Sequence, residues 1–243
     1  MNILVTGISG RMGQAVKQAV ELNPDTQMTA THDVGQDIDA ALRQADIAID
    51  FSFHGFTGEL LRAAVEQQKP LVIGTTGHSD EEKQAIFAAA KSIPIVFASN
   101  YSVGVNTLFW LTRKASRILQ GFDVEIVEMH HHHKLDAPSG TARTLAEIVC
   151  EESGLDYKED VMHGREGLVG ARTQRQIGMH SLRGGDVVGD HTVIYATDGE
   201  RVELTHKASG RMTFAGGAVR AALWLANRPA GLYSMQDVLG FKD

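Results

Sequence analysis

The segment from residue 128 to residue 142 contains the side chains best suited to acid–base chemistry. It reads EMHHHHKLDAPSGTA. The imidazole of His130 can give or take a proton near neutral pH. The ammonium of Lys134 adds a positive charge, and as a proton donor it could complete a reduction. These two residue types at this spacing predict a site where a bound anion is protonated.

A helix is predicted to begin directly after these two side chains. Residues 138–141 read PSGT, which is typical of a turn that leads into a helix. Backbone N–H groups in the first turn of a helix lack acceptors within the helix and attract anions. We therefore expect Ser139, Gly140 and Thr141 to bind a carboxylate. With the imidazole and the ammonium, the segment suits a dicarboxylate whose C=N or C=C bond accepts a hydride.

The histidine run has a second interpretation, a metal site, because histidine is a common metal ligand. Residues 130–133 are all histidine. Successive side chains of a strand point to opposite faces, which does not favour convergence on one ion. No cysteine or carboxylate stands at a recognisable zinc spacing. We therefore predict that this segment binds no metal.

A glycine-rich segment near the N-terminus predicts dinucleotide binding. Residues 7–13 read GISGRMG, between a predicted strand at residues 3–5 and a predicted helix over residues 12–22. Glycine allows the backbone to approach a pyrophosphate, and the helix N-terminus attracts its charge. The spacing is GxxGxxG instead of the usual GxGxxG, and a tight turn without a ligand is the alternative. The expected contacts are Gly7, Ile8, Ser9, Gly10, Arg11 and Met12.

An aspartate at the end of the second predicted strand bears on the choice of cofactor. Asp33 lies 20 residues beyond Gly13, where an acidic residue normally binds the ribose hydroxyls of NAD. The next residue is Val34, so no arginine is adjacent to neutralise the 2′-phosphate of NADPH. The pattern favours NADH, with NADPH possible because His32 could partly compensate. A solvated loop aspartate is the alternative.

Two more loops are expected at the carboxyl ends of predicted strands, where ligands bind in open α/β sheets. One follows the apolar run at residues 71–73, and the other follows the run that begins at residue 95. Small and hydroxyl residues in such loops suit close contact with a cofactor, although ordinary turn chemistry is the alternative. The residues concerned are Gly74, Thr75, Thr76, Ala98, Ser99, Asn100 and Tyr101.

The elements that position these residues fall into two regions. Residues 1–101 alternate short apolar strands with helices, which indicates a Rossmann-type α/β domain with a parallel sheet covered on both faces. Residues 102–211 include HTVIYA and RVELTHKA, whose period-two alternation indicates an α+β domain with a mixed, largely antiparallel sheet. The last segment, residues 212–243, is expected to return to the first domain. A capping box from Ser79 to Glu82 predicts one helix start in the first region.

Composition and charge argue against several classes of protein. The chain of 243 residues has a formal charge of −7, which argues against nucleic acid as a partner. No segment reaches the roughly 18 apolar residues of a membrane span, and the first residues do not resemble a signal peptide. Cys150 is the single cysteine, so no intrachain disulfide can form. A cytoplasmic protein is therefore expected.

The motifs together closely resemble the dihydrodipicolinate reductase family of bacterial lysine and diaminopimelate synthesis. EMHHHHKLDAPSGTA is similar to the family signature E-x-H-H-x-x-K-x-D-A-P-S-G-T-A. The stretches GISGRMG, DFS, GTTG, NYSVGVN and HKASGRMTFAGGAVRAALWL extend the resemblance over nearly the whole chain. It implies a Rossmann domain, a substrate-binding and tetramerisation domain, and NADH- or NADPH-dependent hydride transfer to 4-hydroxy-tetrahydrodipicolinate.

The resemblance also implies roles for individual residues. His130 falls on the family's proton donor or acceptor, and Lys134 falls on its proton donor. His131, Gly140 and Thr141 fall on substrate contacts of the family. Arg211 matches a family arginine that we group with the cofactor contacts. Family members that accept both cofactors carry an acidic residue followed by arginine, and the valine at position 34 departs from that pattern.

Two other hypotheses remain open at this point. A related two-domain dehydrogenase could act on another imine or keto dicarboxylate, because the glycine loop does not distinguish substrates. A regulatory protein could bind NAD(H) without turnover, although it would not need His130 and Lys134. The segment from His130 to Thr141 favours the reductase over both alternatives.

Overall fold

The structure is a computed structural model that describes residues 1–241, and it divides the chain into two compact units. The first consists of residues 1–103 together with the described residues from 211 onward, and the second of residues 104–210. No helix within residues 1–241 is long and apolar enough to cross a membrane.

The helices and strands follow one another along the described chain with a short 3₁₀ turn at His54–Phe56. In order they are β1 (Asn2–Thr6), α1 (Arg11–Leu22), β2 (Gln27–His32), α2 (Ile38–Arg43), β3 (Ile47–Asp50), α3 (Thr57–Glu66), β4 (Leu71–Ile73), α4 (Asp80–Ala89), β5 (Pro94–Phe97), α5 (Val103–Ile118), β6 (Asp123–His130), α6 (Gly140–Ser153), α7 (Tyr157–Asp160), β7 (Val161–His163), β8 (Ile177–Arg183), β9 (Gly189–Thr197), β10 (Glu200–Ala208), α8 (Met212–Leu225), β11 (Gly231–Tyr233) and α9 (Met235–Leu239).

The first unit is built on a six-stranded parallel sheet in the order β11-β5-β4-β3-β1-β2. The inner strands β1, β3 and β4 are buried on both faces because helices cover both. Ile3 and Val5 pack into one core with residues of α1 and α8, whereas Leu4 packs into the other with residues of α2, α3 and α4. The Rossmann-type parallel sheet predicted from the alternating pattern is confirmed.

The parallel arrangement places the carboxyl ends of the strands at one edge of this sheet. The loops that follow β1, β2, β4 and β5 are those predicted to bind the cofactor. Ser79 caps α4: its hydroxyl accepts the N–H of Glu82 at 3.2 Å and the Glu82 carboxylate accepts the N–H of Ser79 at 2.7 Å. The predicted capping box is therefore confirmed.

The second unit contains a five-stranded mixed sheet in the order β10-β9-β6-β8-β7. The β10–β9 and β9–β6 pairs are antiparallel, whereas the β6–β8 and β8–β7 pairs are parallel. The predicted mixed sheet is confirmed, with antiparallel pairs on one side of β6 and parallel pairs on the other. Period-two alternation identifies a strand without fixing its direction, and α6 and α7 act as a crossover between β6 and β7.

One face of the second sheet is apolar along most of its length and polar at one end. In β6 the buried positions alternate strictly and are Val124, Ile126, Glu128 and His130. The first two belong to a core with residues of α5 and α6. The last two continue the same face, so the strand that builds the core also carries the polar side chains of the candidate site.

Candidate active site

The buried carboxylate of Glu128 is the centre of the polar end of the second sheet. Its side chain is 0% exposed, and Arg183 donates to both carboxylate oxygens at 2.9 Å. The backbone N–H of Ser139 donates to the same carboxylate at 3.2 Å. Burial alone would raise the pKa of Glu128, but hydrogen bonds from His130, Arg183 and Ser181 lower it to about 2.

Glu128 orients the imidazole of His130. The two residues are separated by one position on β6, so their side chains share a face, and Nδ1 of His130 lies 2.6 Å from the Glu128 carboxylate. Because an ionised carboxylate only accepts, Nδ1 carries the proton of this bond. The other ring nitrogen, Nε2, faces Gly189, where an added Cβ would lie only 3.0 Å away. The absence of a side chain at Gly189 therefore leaves room for the His130 ring in this orientation.

Ser139 connects the start of α6 to a second buried histidine. Its hydroxyl accepts the N–H of Ala142 at 3.2 Å, as an N-cap does, and lies 3.0 Å from Nε2 of His191. Burial lowers the pKa of His191 to about 3, so this ring is neutral. Its plane stands nearly perpendicular to that of His130, with ring centroids 5.1 Å apart. The helix start predicted to bind a carboxylate therefore lies beside the His130 imidazole.

Lys134 lies in the loop that leaves β6. The backbone N–H of His131 donates to the carbonyl of Val187 at 2.7 Å, and Lys134 N donates to the carbonyl of His131 at 3.1 Å. The Lys134 ammonium lies 2.9 Å from the Asp136 carboxylate. Arg183, which holds Glu128, also donates to the carbonyl of Asp136 at 2.7 Å. One arginine therefore ties the Glu128–His130 pair to the loop that carries Lys134.

His132 and His133 of the run lie in the loop that follows β6. His132 bonds through Nδ1 to the carbonyl of Gly185 at 2.8 Å, and its ring lies against that of His133. Within residues 1–241 no group of three histidine, cysteine or acidic side chains is arranged to hold a metal ion.

Replacing Glu128 with glutamine is expected to destabilise the fold in a pH-dependent way. The folded pKa of about 2 lies below the ordinary 4.5, so the ionised carboxylate stabilises the fold above pH 4.5 and loses this contribution as the pH falls toward 2. The difference in unfolding free energy between wild type and Glu128→Gln should be roughly 3 kcal/mol at neutral pH and should shrink below pH 4.5. Urea denaturation at a series of pH values measures it.

The exposed carboxylate of Glu147 provides the control for this prediction, because it pairs with Arg143 on the surface of α6. Glu147→Gln should change stability little at any pH. A difference for Glu128→Gln that stays constant from neutral pH to pH 3 would show that the Glu128 charge does not stabilise the fold.

The glycine loop of the first unit is shaped by close backbone contacts. Gly7 has a φ of 69°, and a Cβ there would lie 2.4 Å from the carbonyl oxygen of Phe51. A Cβ at Gly13 would lie 2.1 Å from the carbonyl oxygen of Gly7. Gly10 caps α1 without any side-chain hydrogen bond. The backbone path therefore requires glycine at positions 7 and 13, and Gly10 brings no side chain over the N–H groups of the helix start.

Asp33 and the glycine loop line one cavity of about 230 Å³. The Asp33 carboxylate accepts the backbone N–H of Ser9 at 3.0 Å, which holds it against the loop. Val34 beside it is 97% exposed. His32 is buried, and its Nε2 lies 3.0 Å from the carbonyl of Gln36. Among the described residues that line this cavity there is no lysine or arginine.

The other predicted cofactor residues lie in the loops after β4 and β5, and two of them have buried side chains. Tyr101 is buried and its hydroxyl donates to the carbonyls of Ile73 and Val96, so its phenol supports the sheet edge, and burial raises its pKa well above the ordinary value. Thr75 is 5% exposed and points toward Asp50. The remaining members of these two loops, Gly74, Thr76, Ala98, Ser99 and Asn100, follow β4 and β5 at the same sheet edge.

The two predicted arginines lie apart from Asp33. Arg11 is the first residue of α1, and Arg211 precedes α8. They line a second cavity of about 470 Å³ in the first unit, together with Lys17. The structure therefore separates a basic surface from the cavity that contains Asp33.

Sequence reasoning missed Glu128, Arg183 and His191. Alternation in β6 was sufficient to place Glu128 on the face of His130. Arg183 and His191 required the strand register, in which Arg183 pairs with His130 and His191 with Glu128. No local pattern specifies that register.

Comparison with protein-family models matches both regions of the chain. Residues 1–101 match the model described as dihydrodipicolinate reductase, N-terminus, and residues 104–239 match the model described as dihydrodipicolinate reductase, C-terminus.

Similar proteins include 4-hydroxy-tetrahydrodipicolinate reductases from several bacteria. The protein from Akkermansia muciniphila is 68% identical over 99% of this chain and 98% of its own length. That of Chromobacterium violaceum is 49% identical over 99% of both chains. Among solved structures, dipicolinate-bound dihydrodipicolinate reductase from Paenisporosarcina sp. TG-14 has the same fold, with a TM-score of 0.77 and 24% identity over 98% of each chain.

Proposed function

The chain belongs to the dihydrodipicolinate reductase family of oxidoreductases, and we propose that it reduces 4-hydroxy-tetrahydrodipicolinate to tetrahydrodipicolinate with NADH in preference to NADPH. The observation that supports this substrate class best is the buried Glu128–His130 pair beside the N-terminus of α6. A helix start and an ammonium suit a dicarboxylate, and an oriented imidazole suits proton transfer to it. The reaction belongs to lysine synthesis through diaminopimelate, in the cytoplasm.

The first unit has the features that a pyridine dinucleotide requires. The glycine loop permits close approach to a pyrophosphate, and Asp33 lines the same cavity. We assign this unit to the cofactor, which supplies the hydride when bound, and residues 104–210 to the substrate. Arg11 and Arg211 are proposed to attract the negative charge of the cofactor.

In the second unit, each proposed side chain has one task. The start of α6 at Ser139, Gly140 and Thr141 binds a substrate carboxylate together with His131. Lys134 exchanges its contact with Asp136 for the substrate and donates a proton. Nε2 of His130 gives or takes a proton while Glu128 fixes the ring through Nδ1.

The reaction can be tested by following where the hydride goes. The protein should transfer deuterium from deuterated NADH into tetrahydrodipicolinate, as detected by mass spectrometry of the product. NADH binding without any such transfer would favour a dinucleotide sensor instead.

The cofactor preference predicts the result of one substitution at the exposed valine. Val34→Arg should raise kcat/KM for NADPH relative to NADH by about tenfold or more, because the guanidinium can pair with the 2′-phosphate beside Asp33. Steady-state rates with both cofactors measure this ratio. Val34→Gln is the uncharged control and should leave the ratio near that of wild type. An equal gain with glutamine, or faster turnover of NADPH than NADH by wild type, would contradict the proposal.

We also propose that the protein is a homotetramer that assembles through the second unit. The support is the family resemblance and the exposed face of the second sheet, where Leu182 is 48% exposed and Thr192 bonds to Thr205 across β9 and β10. Light scattering during size-exclusion chromatography should give about four times the mass of one chain. A monomer at micromolar concentration would contradict this assignment.

A further inference from the structure

A buried carboxylate in the first unit is bonded to three hydroxyl groups. Asp50, the last residue of β3, accepts the hydroxyl of Thr6 at 2.5 Å and that of Ser52 at 2.5 Å through Oδ1. Its Oδ2 accepts the hydroxyl of Thr75 at 2.6 Å. Within residues 1–241 these hydroxyls are its only side-chain hydrogen-bond partners. Bonds of this kind, from O–H to an ionised oxygen, are short and strong.

The three donors come from three segments that converge at the carboxyl edge of the sheet. Thr6 is the last residue of β1 and precedes Gly7 of the glycine loop. Ser52 lies in the loop after β3, and Thr75 lies in the loop after β4. Since β1, β3 and β4 are neighbours in the sheet, the carboxylate of the central strand bonds to the segments on both sides of it.

Further contacts around Asp50 fix the distances between the loops that follow β1, β3 and β4. The backbone N–H of Ser52 donates to the hydroxyl of Thr75 at 2.8 Å, so the threonine hydroxyl gives its own proton to Asp50. A Cβ at Gly7 would lie 2.4 Å from the carbonyl of Phe51, and a Cβ at Gly74 would lie 2.3 Å from its ring. Small movements of any one loop would therefore disturb the other two.

We propose that Asp50 is a positioning residue for the cofactor, which sets the spacing of the loops after β1, β3 and β4. This inference rests on the proposed function, since two of these loops contain the proposed dinucleotide contacts. Asp50 and Thr6 are both 0% exposed, so neither side chain touches the cofactor. An effect of either residue on cofactor affinity must therefore act through the position of the loops.

Substitutions at Asp50 and Thr6 test the proposal through the dissociation constant of NADH, measured by fluorescence titration. Asp50→Asn should raise this constant by about tenfold or more, and Thr6→Val, which removes one hydroxyl at nearly constant shape, by about fivefold. Thr6→Ser keeps the hydroxyl and should restore an affinity close to that of wild type. In steady-state assays, KM for NADH should rise more than kcat falls.

A destabilising substitution elsewhere in the same unit provides the control. Ile86 is 0% exposed in α4 and belongs to the core on one face of the sheet. Ile86→Ala should lower the melting temperature and leave the NADH dissociation constant within twofold of wild type. Should Asp50→Asn fail to fold, the comparison of Thr6→Val with Thr6→Ser decides the question alone.

Two results would overturn the inference, and they are distinguishable from each other. If Thr6→Val and Asp50→Asn bind NADH as wild type does, or lose no more affinity than Ile86→Ala, Asp50 has only a structural role. If the wild-type protein itself binds neither NADH nor NADPH, the proposed function fails and the inference fails with it.

Discussion

Replacing Lys134 with alanine is expected to lower kcat by at least about 100-fold, because the substitution removes both a proton donor and a positive charge that holds a carboxylate. The ammonium lies in the loop that Arg183 and the carbonyl of Asp136 fix beside the Glu128–His130 pair. Substrate-dependent oxidation of NADH, with the substrate concentration varied, measures the loss. KM for the substrate should also rise, because the charge contributes to binding as well as to proton transfer.

Lys134→Arg separates these two contributions. Arginine keeps the charge but does not release its proton in proteins, so binding should be retained while kcat stays low. NADH binding should be unchanged in both variants, because Lys134 lies in the second unit. If Lys134→Ala retained more than about a tenth of wild-type turnover, its assignment as proton donor would be wrong.

Replacing His130 with alanine is expected to lower kcat by about 10²- to 10⁴-fold, the range of general acid–base catalysis. The reason is the geometry of one ring: Glu128 fixes Nδ1 at 2.6 Å, so Nε2 is the nitrogen that can exchange a proton with a ligand. The variant should also differ in its pH profile. One ionisation that controls kcat in the wild-type protein should be missing from the profile of His130→Ala, as steady-state kinetics over a range of pH would show.

His132 provides the matched control, because it lies in the same histidine run but bonds to the carbonyl of Gly185 and is assigned no role. His132→Ala should change kcat less than about threefold. Equal losses from the two substitutions would indicate that the segment is needed for folding of the loop and that His130 has no specific part in proton transfer. Retained NADH binding with lost turnover in His130→Ala would also exclude the sensor hypothesis.

The parallel sheet could be predicted because local patterns determine it. Short apolar runs separated by helices are sufficient to indicate a parallel sheet, and its carboxyl edge then follows from topology. The β11 strand, residues 231–233, was missed because it has only three residues and no alternation. Its pairing with β5 depends on where α8 ends, which no local pattern specifies.

The candidate site could be predicted only where its members are close in sequence. His130, Lys134 and Ser139 lie within one segment, and their types indicate the chemistry. Arg183 and His191 join them through strand pairing between positions that are distant in the chain. The direction of those pairings does not follow from the pattern, because alternation is the same in parallel and antiparallel strands.

Asp50 illustrates a further limit of sequence reasoning. It ends an apolar strand, and its three hydroxyl partners are ordinary loop residues in the sequence. Their common function follows only from the fact that β1, β3 and β4 are neighbours. A buried carboxylate without this network would carry a large desolvation cost, which explains why hydroxyl groups surround it.

The central claim is that this chain reduces the cyclic dicarboxylate with a preference for NADH. The most direct measurement supplies freshly formed substrate, made from pyruvate and aspartate semialdehyde by the preceding synthase, and follows the loss of NADH and, separately, NADPH by absorbance. We predict oxidation that depends on the synthase and is faster with NADH. No oxidation of either cofactor by a protein that binds them would contradict the claim, and faster oxidation of NADPH would contradict the interpretation of Asp33 and Val34.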